Sequence, residues 1–128
     1  MRPIKFRGLN KSCGFLFGSY ATDGKDYHAI ITDNPKDSST MLNIAVVQSS
    51  VGQFTGLQDK NGVDIYEGDL ISLHGNQRGF TKVVFNAYIG GWLLVRNNNA
   101  SSLGSRMRKD LEIVGNIYQN PELLELNK

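Results

Sequence analysis

Residues 51–71 read VGQFTGLQDKNGVDIYEGDLI, and the way turn chemistry alternates with apolar side chains there decides the fold. Asp59-Lys60-Asn61-Gly62 stands between Phe54 and Leu57 on one side and Val63 and Ile65 on the other. Asn-Gly in that setting is a strong local hairpin signal, because glycine takes positive φ at no steric cost. Glu67-Gly68-Asp69 marks a second turn, and residues 70–73 leave it as a strand with Ile71 and Leu73 on one face.

Towards the N-terminus, residues 4–7 alternate Ile and Phe with Lys and Arg, and residues 14–17 offer a second apolar run after the polar connector 9–12. That pattern predicts a hairpin. Residues 19–26 read as loop, 27–32 as a strand with β-branched side chains, 33–40 as a polar loop turned by Asn34-Pro35, and 42–47 as a strand. Ser49 and Ser50 are placed to cap one helical turn running through Gln53.

Towards the C-terminus, residues 74–79 read as a polar loop and 81–85 as a strand, and the glycine pair Gly90-Gly91 predicts a hairpin return into residues 92–95. The unbroken apolar run of that last segment implies burial on both faces or a central position. Residues 96–110, rich in Asn, Ser, Arg and Lys, lack periodicity and predict an excursion between strands. Residues 111–117 alternate again and predict a strand with one buried face. Asn120-Pro121-Glu122 reads as N-cap, first helical residue and first-turn acid of a short helix burying Leu123, Leu124 and Leu126.

These elements predict a mainly β protein. Residues 51–128 would form a small antiparallel SH3-like barrel with a core of Trp92, Phe85, Leu94, Ile113 and Ile71, ending in a short C-terminal helix. Residues 1–50 would add an N-terminal β elaboration too poor in apolar area to fold alone, giving one domain over residues 1–128. A chain of 128 residues can bury a core without metal or disulfide staples. Its lone cysteine, Cys13, excludes an intrachain disulfide and points to a reducing compartment, the cytoplasm. No apolar run reaches the ~18–20 residues of a membrane span, and Met1-Arg2-Pro3 leads into a basic strand rather than a signal peptide.

Two longer motifs carry a resemblance. TGLQDKNGVDIYEGDL and IVGNIYQNPELL, together with the opening KFRG, resemble the signature, closing and opening segments of the YopX family of small phage and prophage proteins. The resemblance implies a phage- or prophage-encoded accessory protein working in the host cytoplasm. Family members often carry an aromatic and an acidic residue where this chain has Gly8-Leu9-Asn10, so a role for that position is not carried over.

For catalysis the candidates are Asp59, Asp64, Glu67 and Asp69, but they cluster in sequence only: Asp59 reads as a turn acceptor for backbone N–H groups, and Glu67 and Asp69 flank Gly68 in another turn. Cys13, His28 and His74 have neither helical nor hairpin metal spacing and read as a buried thiol with two surface or loop histidines. GSYATDGK, residues 18–25, has one residue too many between its glycines for a phosphate loop and is followed by Asp26. No cofactor and no metal are therefore expected. The net charge of +2 is too small to imply a polyanion partner by itself. Arg106, Arg108 and Lys109 nevertheless fall within four residues, Arg2, Lys5 and Arg7 are expected on the first strand, and Tyr88, Phe80 and Tyr66 lie near turns as stacking candidates. The leading expectation is a non-catalytic module that binds a host or phage protein. Weak nucleic-acid binding through Arg106, Arg108 and Lys109 is the alternative, and an enzyme with an unrecognised site the third reading. Self-association is left open, and a membrane partner is not expected.

Overall fold

The computed structural model describes residues 3–73, 80–97 and 99–125. The expected loop 74–79, with His74, and the expected helical residue Leu126 lie outside them. The chain divides into two compact units, Met1–Phe54 and Thr55–Lys128.

In the first unit β1 (Phe6–Asn10) and β2 (Gly14–Thr22) form the expected hairpin, in register from Phe6 opposite Gly18 to Asn10 opposite Gly14. Leu9 and Asn10, expected in the connector, belong to β1. The turn is narrower because the Asn10 Oδ1 accepts the N–H groups of Ser12 (2.8 Å) and Cys13 (3.0 Å), holding the reversal within three residues. β2 also runs past its expected end into residues 19–22, where it pairs with β3 (His28–Asp33). Gly18 makes that passage possible, since a Cβ there would stand 2.1 Å from the Ile31 carbonyl oxygen.

β4 (Met41–Ala45), expected as a strand over 42–47, pairs with β3, and Ala29 and Ile30 are fully buried. The turn over residues 48–53 is corrected. It is a 3-10 turn, Gln48–Ser50, with Val47 at its N-cap and no side-chain cap. Ser50 instead donates its hydroxyl to the Val47 carbonyl (2.6 Å) and accepts the Leu9 N–H of β1 (2.8 Å), which ties the turn to the first strand. β5 (Gly52–Gln58) then begins beside β1, with Gly52 and Gln53 opposite Arg7 and Phe6.

In the second unit come β6 (Asp64–Tyr66), β7 (Asp69–Leu73), β8 (Thr81–Asn86), β9 (Gly91–Arg96), β10 (Asn99–Ser102) and β11 (Leu111–Asn116). Among the described residues the β1–β2, β1–β5, β2–β3, β3–β4, β7–β8, β8–β9, β9–β10 and β7–β11 pairings are antiparallel, with strand orders β4-β3-β2-β1-β5-β6 and β10-β9-β8-β7-β11. A single helical turn, α1 (Glu122–Glu125), follows β11. Both expected turns are present, with Gly62 at φ 80° and Gly68 at φ 92°.

The core of this unit is aliphatic: Ile65, Ile71, Val83, Leu94, Leu103 and Leu111. Trp92 and Ile113 pack against it half-buried, and Phe85, expected inside, is 48% exposed. Register explains the difference. Val83 lies opposite Leu94 at the centre of the β8–β9 pair, whereas Phe85 lies opposite Trp92 two residues nearer the hairpin end, where Trp92 is the residue of the pair that packs against the core. Only Leu94 of residues 92–95 is fully buried, so the run marks a central strand and not a strand buried on both faces.

The stretch 96–110 is not an excursion. It contains β10 and two 3-10 turns, Leu103–Ser105 and Arg108–Asp110, and it buries Leu103 completely. β10 is held by backbone bonding to β9, which needs no apolar alternation, and Asn97 opens the connecting turn at φ 52°.

Gly62→Val forces a β-branched side chain towards positive φ and, from its Cβ, to within 3.1 Å of the Arg108 guanidinium. It should lower stability by about 1–2 kcal/mol. A chemical-denaturation midpoint equal to that of the wild type would rule this out. Leu94→Ala should cost about 2–5 kcal/mol, and Trp92→Ala less than the about 3–5 kcal/mol of a fully buried ring. The same titrations, with tryptophan emission between buried and exposed limits, check this ordering.

Candidate functional site

Of the four carboxylates weighed for catalysis, Asp59 and Asp69 accept backbone N–H groups. Asp59 is 1% exposed. Its Oδ1 accepts the N–H groups of Asn61 (2.9 Å) and Val63 (3.0 Å), and its Oδ2 accepts the N–H of Ile113 on β11 (3.1 Å). Lys60 donates its N–H to the Leu111 carbonyl (2.9 Å), so the turn is joined to β11 by side chain and backbone alike. Asp69 is also buried and accepts the Tyr66 N–H (2.8 Å). Asp64 accepts the Gln58 amide (3.0 Å), and Glu67 is half-buried.

The closing segment meets the second turn in the same way. Gly68 donates to the Val83 carbonyl and accepts from the Ile117 N–H, each at 2.9 Å, while the Asn116 Oδ1 accepts from Tyr118 and Gln119. The two long motifs of the sequence are thus packed on one another by backbone hydrogen bonds.

Among the described residues no group of three His, Cys, Asp or Glu side chains could hold a metal ion. The expected burial of the thiol and exposure of the histidine are reversed. Cys13 is exposed at the tip of the β1–β2 turn, while His28 is buried, its Nδ1 2.6 Å from the Tyr20 hydroxyl and its Nε2 3.1 Å from the Lys25 carbonyl. A histidine that starts a strand beside Tyr20 and Thr22 finds partners inside the sheet, which its sequence neighbours do not reveal. The loop acids Asp23 and Asp37 have their carboxyls held below the usual range, the first by the Lys25 and then the Tyr27 N–H, the second by the Ser39 hydroxyl and N–H.

The three basic residues have different surroundings. Arg108 donates its Nε–H to the Asp59 carbonyl (2.7 Å), tying the 3-10 turn to the β5–β6 hairpin. Lys109 is exposed. Arg106 is half-buried, and its guanidinium donates to the Ser101 hydroxyl (3.3 Å). Of the stacking candidates, Tyr66 is buried, Phe80 half-buried and Tyr88 fully exposed.

Two surface features of the second unit remain, at opposite ends of the β8–β9 pair. At the hairpin end, the Asn86 Oδ1 accepts the N–H groups of Tyr88 (2.9 Å) and Ile89 (3.2 Å), and Gly90 takes φ 63°. This turn holds Tyr88, 100% exposed, and Ile89, 64% exposed, beside the Phe85–Trp92 edge-to-face pair with ring centroids 5.1 Å apart. At the other end is a cleft of about 210 Å³ closed below by Ile71 and Leu94 and lined by Leu73, Thr81, Arg96 and Arg106. Arg96 was not among the sequence candidates. Its signal was its place two residues after Leu94, which puts it on the face of β9 that carries the core.

Asp59→Ala should leave the N–H groups of Asn61, Val63 and Ile113 without their acceptor and cost about 3 kcal/mol or more. Asp59→Asn should also destabilise, because its amide NH2 would oppose one of those donors. Thermal melts and amide exchange at Ile113 measure both; an Asp59→Ala protein as stable as wild type would remove the structural role.

The sequence profile described as YopX protein matches residues 5–125. No curated protein matches the chain. Among solved structures, the crystal structure of protein EF1440 from Enterococcus faecalis is similar at a TM-score of 0.60 and 20% identity, over 97% of this chain and 99% of that one. At that identity the likeness concerns the fold.

Proposed function

The chain belongs to the YopX family, and from that premise we propose that it is a phage- or prophage-encoded accessory protein, a non-catalytic module that binds another protein through the end of the β8–β9 hairpin. One observation carries the reading: Tyr88, Ile89 and Phe85 are large, apolar and exposed together on a turn fixed by Asn86. Aromatic side chains on a rigid support supply contact area at low entropic cost, and they are enriched at protein interfaces. Asp59 and Asp69 are engaged by backbone donors, which favours binding over acid-base chemistry there.

The finer fold reading belongs to the same proposal. A meander β7–β8–β9–β10 with β11 returning beside β7, preceded by the 3-10 turn Arg108–Asp110, supports an SH3-like barrel. The family profile spans both compact units, which supports treating residues 1–128 as one functional domain. Among the described residues no helix is long and apolar enough to cross a membrane; the exposed single thiol supports a reducing, cytoplasmic setting.

The second reading is nucleic-acid binding through Arg106, Arg108 and Lys109, favoured by the exposure of Lys109. Two measurements separate the readings. A photo-crosslinking residue at position 88 should capture a discrete protein in infected or lysogenic host cells, while the same group at position 36, on the exposed 34–40 loop, should not. Single-stranded oligonucleotides should show no salt-dependent association. If they bind, and Arg106→Ala with Lys109→Ala flattens the salt slope by about one to two units, the nucleic-acid reading replaces the first.

A further inference from the structure

The cleft at the Thr81–Arg96 end of the second unit is independent of the hairpin end, and we infer that it is a binding site for a carboxylate carried on a short apolar body. It is built on one face of the sheet. Ile71 lies opposite Thr81 on β7 and β8, while Leu94 lies opposite Ser101 and Arg96 opposite Asn99 on β9 and β10. Side chains two apart on a strand share a face, so this face passes from the buried Leu94 to the cationic Arg96 within one step. Arg106 comes from outside the sheet, after the Leu103–Ser105 turn, and its bond to Ser101 holds the guanidinium at the cleft.

Charge and shape together select the ligand. Two guanidinium groups line the cleft with the Thr81 and Ser101 hydroxyls and the Asn99 amide, and no acidic side chain is among the described residues that line it. The bond from Arg106 to Ser101 uses one of the five N–H donors of a guanidinium, whose planar fork matches the two oxygens of a carboxylate. Leu73, half-buried beside the closed floor, offers apolar surface that a bare inorganic ion would leave wet. About 210 Å³ is below the ~300–1,000 Å³ of sites for drug-sized ligands. The occupant is therefore small: a free short-chain acid, or the last residue of a polypeptide with its terminal carboxylate. The second would make the cleft a reader of protein chain ends.

The test is an amide-resonance titration of the full chain with four probes: isovalerate, isovaleramide, a pentapeptide ending in leucine with a free carboxylate, and inorganic phosphate. Carboxylate probes at roughly millimolar concentration should shift Leu73, Thr81 and Ser101 and leave Tyr88 in place. Isovaleramide should bind at least about tenfold more weakly than isovalerate. A peptide at least about tenfold tighter than isovalerate assigns the site to chain ends, and equal affinities assign it to free acids. Arg106→Gln keeps a donor for Ser101 and should preserve the melting temperature while weakening carboxylate binding; Arg96→Gln should also weaken carboxylate binding. The inference is overturned if no probe shifts these resonances, if isovaleramide or phosphate binds as well as isovalerate, or if both variants bind like the wild type. None of these outcomes bears on the crosslink at position 88.

Discussion

The carboxylate of Asp59 is the constraint on which the second unit depends. A buried carboxylate is tolerated only where donors replace its water, and here three backbone N–H groups do so, two within the turn and one on β11. The same bonds satisfy buried amides that would otherwise be costly to leave unpaired. Because β11 is separated from the turn by about fifty residues of chain, this one side chain converts a local hairpin into a long-range closure. Arg108 adds to it from the following turn by donating to the Asp59 carbonyl, and Lys60 forms an ion pair with Glu112 at 3.5 Å.

With β11 held beside β7, one face of the β8–β9 pair becomes a graded surface. Its middle rung, Val83 and Leu94, is sealed into the aliphatic core. One rung towards the hairpin, Phe85 and Trp92 make an aromatic pair that is partly exposed, and one rung the other way Arg96 faces the cleft with Arg106. Closure buries the centre and leaves two ends of opposite character, one aromatic and neutral, one small and cationic. Both proposals arise from that division.

The basic cluster shows why charge spacing is a weak guide to a binding surface. Arg106, Arg108 and Lys109 are neighbours in sequence, yet one guanidinium serves the hairpin backbone, another lines the cleft, and the lysine is exposed. An arginine has donors enough to satisfy orphaned carbonyls as readily as phosphates. Which of these it meets depends on the path of the 3-10 turns.

What the sequence determined by itself was set by local chemistry. The turns at Gly62 and Gly68 follow from the positive φ that glycine accepts, the role of Asp59 as a turn acceptor from its position beside the first of them, and most strands from period-two alternation. The length of the two motifs was legible too, though not the fact that they bond to each other. Only the tertiary structure decided that polar residues 99–102 form a strand, that His28 is buried while Cys13 is not, that Phe85 lies outside the core, and that Arg96 and Arg106 share a cleft. Each of those outcomes turns on which strand pairs with which and in what register. Backbone ladders form without regard to side-chain pattern, and burial depends on neighbours distant in the chain, so neither is written in any short stretch of residues.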